Sequence, residues 1–124
     1  MKTNPVGWFE VPVTNMARAK AFYEKAFDIK IQVKDFGGTR MGWFPKNGQA
    51  YGATGSLIQQ ESYVPSHQGA LVYFSSENVQ NELDRMEAAG GKILREKTQI
   101  SPEHGYMAVF EDSEGNRVAL HSQQ

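Results

Sequence analysis

The chain has 124 residues, 40% apolar and 22% charged, with a net charge of −1, which suits a single domain with one core. Acids and bases are interspersed, so no basic stripe exists to follow a phosphate backbone, and nucleic acid is not the expected partner. There is no cysteine, which excludes disulfides, thiolate nucleophiles and cysteine-built zinc or iron–sulfur sites.

Met1 to Pro5 leads into a strand-like run, with no apolar region long enough for a signal peptide. No stretch approaches the roughly 20 apolar residues that cross a bilayer. These features point to a cytoplasmic protein without a membrane span. Val6 to Val13 alternates: Phe9, Val11 and Val13 share one face, and Trp8, Glu10 and Pro12 the other. Pro12 cannot donate to a ladder and belongs at a strand end or an edge. Thr14-Asn15 offers an N-cap. Met16, Ala19, Phe22, Tyr23, Ala26 and Phe27 then recur at helical spacing, with Arg18, Lys20, Glu24 and Lys25 outside.

Ile29 to Lys34 alternates again, Gly37-Gly38 is a turn, and Arg40 to Phe44 reads as a strand. Tyr51 to Gln60 is a further strand whose Gly52 and Gly55 suggest a bulge or a close approach. Glu61 to Gln68 reads as a linker. The pattern then repeats. Ala70 to Ser75 is an apolar strand, Asn78 a candidate cap, and Val79, Leu83, Met86 and Ala89 a helical stripe ended by Gly90-Gly91. Lys92 to Thr98 is a strand, Gln99 to Gly105 a loop, Tyr106 to Glu111 a strand, and Asn116 to His121 the last strand.

The order is strand, helix, three strands, twice over. It predicts an α+β domain over 1–124, built from two tandem βαβββ modules: module one about 5–60, linker 61–68, module two about 69–122. The modules form a curved mixed sheet around a central cleft. The apolar face of each sheet belongs under its helix. By alternation, Trp8 and Glu10 then look into the hollow from the first strand, Leu71 and Tyr73 from the fifth, and Arg117, Ala119 and His121 from the last.

The stretches Trp8 to Asp28, Gly69 to Ile93 and Gly105 to Ser122, the last containing EDSEGNRVALH, resemble the vicinal oxygen chelate superfamily of glyoxalase I, bleomycin-resistance proteins and ring-cleaving dioxygenases. The flavour is that of the small glyoxalase-related proteins. The resemblance implies a small-molecule site and a homodimer. It also implies a divalent ion held from the first, fourth, fifth and eighth strands. Carried over by motif, those positions fall on Trp8, on Gly55 or Ser56, on Ala70 or Leu71, and on Ala119. None is a competent ligand, so neither metal nor cofactor is expected.

Glu10 interrupts an apolar strand on the hollow side, where it reads either as a general base or as a carboxylate at a wet strand edge. His121 reads as its acid or orienting partner, or as a histidine held by a neighbour. Trp8 and Tyr73 are expected to line the pocket, and Arg117 to meet a substrate carboxylate or to stay solvated. Trp43, Phe44 and Tyr106 add aromatic surface with core as the default. His67 and His104 are expected in surface loops. Two functions follow. One is a metal-independent isomerase, epimerase or lyase acting on a small carbonyl compound, related to lactoylglutathione lyase. The other is a binding or sequestering protein without catalysis.

Overall fold

The computed structural model describes residues 2–124. Strand β1 (Phe9–Pro12) leads to helix α1 (Met16–Phe27), followed by β2 (Gln32–Asp35), β3 (Arg40–Trp43) and β4 (Gly55–Gln59). Strand β5 (Tyr73–Ser75) leads to helix α2 (Val79–Ala89), followed by β6 (Lys92–Ser101), β7 (Gly105–Glu111) and β8 (Arg117–Ser122). The two modules make two mixed four-stranded sheets, ordered β1-β4-β3-β2 and β5-β8-β7-β6. In each, the first strand pairs in parallel with the last. This is the tandem βαβββ arrangement. No helix among the described residues is long and apolar enough to cross a membrane.

The helices start where the sequence offers caps. Asn15 accepts from the Arg18 amide and Asn78 from the Gln80 amide. Asp28 ends α1 and Gly90 ends α2, both in the left-handed region. Strand bounds are tighter than alternation suggests. β2 begins at Gln32 because Asp28 is left-handed and the Glu24 carboxylate holds the Ile31 amide. Residues 6–8 precede β1, and residues 70–72 precede β5. One expectation is overturned: residues 99–101 are not loop but the end of β6, paired with β7 through Gln99–Tyr106 and Ser101–Gly105. Register shifts along β6 let this hairpin run on past Thr98.

Gly55 carries the close approach that its sequence context suggested. A side chain there would meet the Phe9 carbonyl at 2.3 Å and the Phe9 ring at 2.7 Å. Its bare Cα lets β1 lie against β4.

A single core holds both modules together. It joins α1, α2 and the helix-facing sides of both sheets, with Tyr23, Phe22, Phe110, Leu57 and Leu120 fully buried. The β1 edge meets the β5 edge, where Phe9 stands edge-on to Phe74 at 5.4 Å. Asn116 donates from Nδ2 to the Pro12 carbonyl across the same seam at 2.7 Å. The Tyr23 hydroxyl donates to the buried Asp112 carboxylate at 2.7 Å. Because the helices take one side of both sheets, the other side stays open. That open side is the hollow predicted from strand parity.

Candidate functional site

Register fixes which residues share the open face. Glu10 on β1 lies opposite Ser56 on β4, and Ser56 lies opposite Trp43 on β3. Paired residues point to the same side of a sheet, so Trp43, Ser56 and Glu10 form one row across three strands. Their chain neighbours Val11 and Leu57 are in the core, which places the row on the opposite, open face. Trp8, in the segment before β1, stands edge-on to Trp43 with ring centroids 5.7 Å apart. Lys34 Nζ lies 4.0 Å from the centroid of the Trp43 ring.

From the second sheet, Tyr73 lies opposite Ala119 and Ser75 opposite His121. Arg117 lies opposite Glu111. Val118 and Leu120 are buried under the helix side, so alternation puts Arg117, Ala119 and His121 on the open face, as predicted. Tyr73 and Trp8 remain 50% and 41% exposed, large aromatic surfaces left uncovered on that face.

A cleft of about 170 Å³ sits at the seam between the sheets, lined by Glu10, Pro12, Val64, Ala70, Val72 and Arg117, among others. The structure therefore brings Glu10 and Arg117 to one cleft. His121 lies four residues further along β8, about 13 Å at the usual strand rise, and does not line it. His121 Nε2 sits 2.6 Å from the His104 carbonyl, tying the β6–β7 turn to β8. His104 itself contacts the Ser101 hydroxyl through Nδ1 at 2.9 Å. His67 is paired with Glu111 at 2.8 Å. Trp43 is half-buried, whereas Phe44 joins the core.

Three buried side-chain polar atoms lack a hydrogen-bond partner among the described residues: Trp43 Nε1, Ser56 Oγ and Arg117 Nε. All three belong to residues of the open face. Buried polar groups are nearly always satisfied in folded proteins, and an orphan costs about 1–3 kcal/mol. An indole N–H and a guanidinium N–H can only donate, and a serine hydroxyl can donate. These three atoms have no acceptor within reach in the structure. Sequence reading did not find that Ser56 and Trp43 carry buried, unpartnered polar atoms. Ser56 had entered only as one of two possible positions on the fourth strand. The missing information was the pairing that sets Ser56 between Glu10 and Trp43.

A wider groove of about 580 Å³ lies elsewhere, between the start of α1, the β2–β3 turn and the linker. Its charged lining includes Asp35 and Arg40, already paired with each other at 2.9 Å. It offers no orphaned polar atom, so the smaller cleft is the better candidate.

At the four metal positions of the resemblance the chain carries an indole (Trp8), a glycine or serine (Gly55 or Ser56), an alanine or leucine (Ala70 or Leu71) and the buried methyl group of Ala119. These do not fit a divalent ion. Among the described residues no three His, Asp or Glu side chains gather as a cation site.

Paired βαβββ modules with a shared open face define the glyoxalase type of fold. The chain matches the Glyoxalase/Bleomycin resistance protein/Dioxygenase superfamily over residues 6–120, and it belongs to that family. A glyoxylase-like domain-containing protein from Didymella fabae is 26% identical over 118 residues, 93% of this chain and 91% of that protein. Glyoxalase I from Zea mays superposes with a TM-score of 0.73 at 21% identity, over 96% of this chain and 46% of the maize chain. The chain thus spans about half the length of that enzyme. TnmS3, an antibiotic binding protein from Streptomyces sp. CB03234, superposes with a TM-score of 0.67 at 21% identity, over 100% and 99% of the two chains. These structural likenesses speak for the fold.

Proposed function

We propose that this chain binds a small organic molecule on its open face, over the row Trp43–Ser56–Glu10 and the adjoining Arg117 cleft. One observation carries the reading: the buried polar atoms left without partners all belong to that face. A ligand that supplies acceptors there relieves a cost already built into the free protein. Trp8 and Tyr73 provide flat apolar surface for its body, Arg117 provides charge for a carboxylate, and Glu10 is the group able to exchange a proton with it. His121 acts at a distance by holding the turn at His104.

Two chemistries fit such a site. A metal-independent isomerase, epimerase or lyase of a small carbonyl compound uses Glu10 as base. A sequestering protein uses the aromatic surface alone, a reading favoured by the separation of Glu10 from His121 and by the fold shared with an antibiotic binding protein. The uncovered Trp8 and Tyr73 also support a homodimer in which a second copy closes over the open face.

The test is two-dimensional NMR of the labelled protein titrated with a panel of small carbonyl compounds and planar aromatic natural products. Shifts concentrated at residues 8–12, 43, 56 and 117 support the reading. Shifts confined to the outer faces of α1 and α2, or to the 580 Å³ groove, overturn it.

A further inference from the structure

The seam cleft has a wall that the paired strands do not supply. Val64, Ser66, Gln68, Ala70 and Val72, every second residue of the segment 64–72, line it. Such alternation is strand-like, and backbone bonds hold it. The Arg117 amide donates to the Ser66 carbonyl at 3.2 Å, and the Ala119 amide to the Val72 carbonyl at 2.9 Å. The segment thus runs beside β8 and closes one side of the cleft with short side chains. Opposite charges stand in this space without pairing. Glu10 and Arg117 both line it, yet no ion pair among the described residues includes either one. Glu111, opposite Arg117 in the ladder, is taken by His67 at 2.8 Å. A guanidinium carries five N–H donors in one plane. That of Arg117 meets the Gly69 carbonyl through Nη2 at 3.3 Å, while its Nε has no acceptor. Spacing across the seam is fixed, because Asn116, the neighbour of Arg117, donates to the Pro12 carbonyl at 2.7 Å. Glu10 lies two residues before Pro12 on the same side of β1, about 7 Å along the strand.

We infer that the ligand of this cleft is a small aliphatic amino acid, with its carboxylate on the Arg117 guanidinium, its ammonium on the Glu10 carboxylate, and its side chain against Val64, Ala70 and Val72. This rests on the open face and its adjoining cleft being the ligand site, and it takes the binding form of that reading, with no covalent step. Size sets the first limit. A cavity of about 150 Å³ holds a molecule as large as benzene, and the cleft measures about 170 Å³, so the ligand is of similar bulk. Charge sets the second. A molecule bearing a carboxylate alone would bring it near Glu10 in a partly enclosed space, where like charges repel more strongly than in water. An ammonium on the same molecule turns that repulsion into a second charged contact. The aliphatic wall of the segment 64–72 then covers the remaining carbon atoms.

The experiment is an NMR titration that follows the guanidinium N–H signals of Arg117, with glycine, alanine, valine and 4-aminobutyrate as zwitterionic probes. Isovalerate and isobutylamine, which are valine without its ammonium and without its carboxylate, serve as the matched comparisons. At least one zwitterion is expected to shift the Arg117 signals saturably, and valine should bind about tenfold or more tighter than isovalerate, the range for a hydrogen bond between charged groups. Glu10→Gln, a change at an exposed position, should erase that preference while leaving isovalerate as tight or tighter. Arg117→Lys keeps the charge but loses the planar fork, and should weaken valine and isovalerate alike. Arg117 signals indifferent to every zwitterion, or a preference for valine that survives in Glu10→Gln, overturn the inference. Isovalerate bound at Arg117 as tightly as valine overturns it while leaving the ligand-site reading intact.

Discussion

Glu114 shows how one side chain can hold two distant parts of a chain. Helix α1 has no acid in its own first turn. Glu114, on the β7–β8 turn, supplies one from the other module. Its carboxylate accepts from the amides of Thr14 and Asn15 at 2.9 Å each and from Arg18 Nε at 2.7 Å. Negative charge at a helix N-terminus is favourable. Burial alone would raise this carboxyl, but the Arg18 guanidinium and the two amides outweigh it and hold the pKa at about 2, below the ordinary 4.5. A depressed folded-state pKa stabilises above the unfolded value, and the gain is lost as pH falls through the folded one. Thermal stability should therefore be flat above pH about 4.5 and decline between there and about 2. Glu114→Gln should cost roughly 1–3 kcal/mol at neutral pH, the range for hydrogen bonds to a charged group, and should flatten that decline. Melting curves of both proteins between pH 2 and 7 check it.

Gly55 makes a second prediction at this scale. Its missing side chain is the space the Phe9 carbonyl occupies. Gly55→Ala must push β1 away from β4 and should destabilise by about 3 kcal/mol or more, at the severe end for a single substitution. Because β1 carries Glu10, any residual folded protein should also bind probe poorly. Chemical denaturation and a titration on the same sample report both effects.

At the level of elements, capping and periodicity were the readable features. Asn15 and Asn78 cap the helices named from the sequence, and Gly90 ends α2 in the conformation its residue type allows. Asn78→Ala should lower stability by about 1 kcal/mol, measurable by denaturant unfolding. Strand parity was readable for the same reason: a period of two leaves Val11, Val118 and Leu120 only one sensible side. Strand ends were less so. Alternation carries on through Val6 and Ala70, whereas a strand stops where its partner stops. The extension of β6 to Ser101 depends on bulges that no local pattern announces. The site divides along the same line. Glu10, Trp8, Tyr73, Arg117 and His121 could be assigned to the open face one strand at a time. That Glu10 shares a cleft with Arg117 and pairs across from Ser56, and that His121 instead holds His104, depends on register between strands far apart in sequence.

For the whole molecule, the placement of one core beneath both sheets has a consequence for assembly. Tyr23, Asp112 and Asn116 tie the modules together through buried hydrogen bonds, so the halves should unfold as one unit. Burial and the neighbouring Asp112 carboxylate push the Tyr23 hydroxyl well above its ordinary range. The open face, by contrast, leaves Trp8 and Tyr73 in solvent. A homodimer that covers them should sediment at twice the monomer mass at micromolar concentration. Tyr73→Glu should shift it to monomer without altering the far-ultraviolet circular dichroism. A wild-type monomer at every accessible concentration would argue against a closed face.

The central claim is that the row Trp43–Ser56–Glu10 is where a small molecule sits. The chain has only two tryptophans, and both stand at that row, so intrinsic tryptophan emission is a direct reporter. Titration with the carbonyl probes should give a saturable change in emission, weakened in Trp43→Phe and in Glu10→Gln while both variants stay folded. Emission indifferent to every probe, or saturation curves identical in wild type and both variants, contradicts the account.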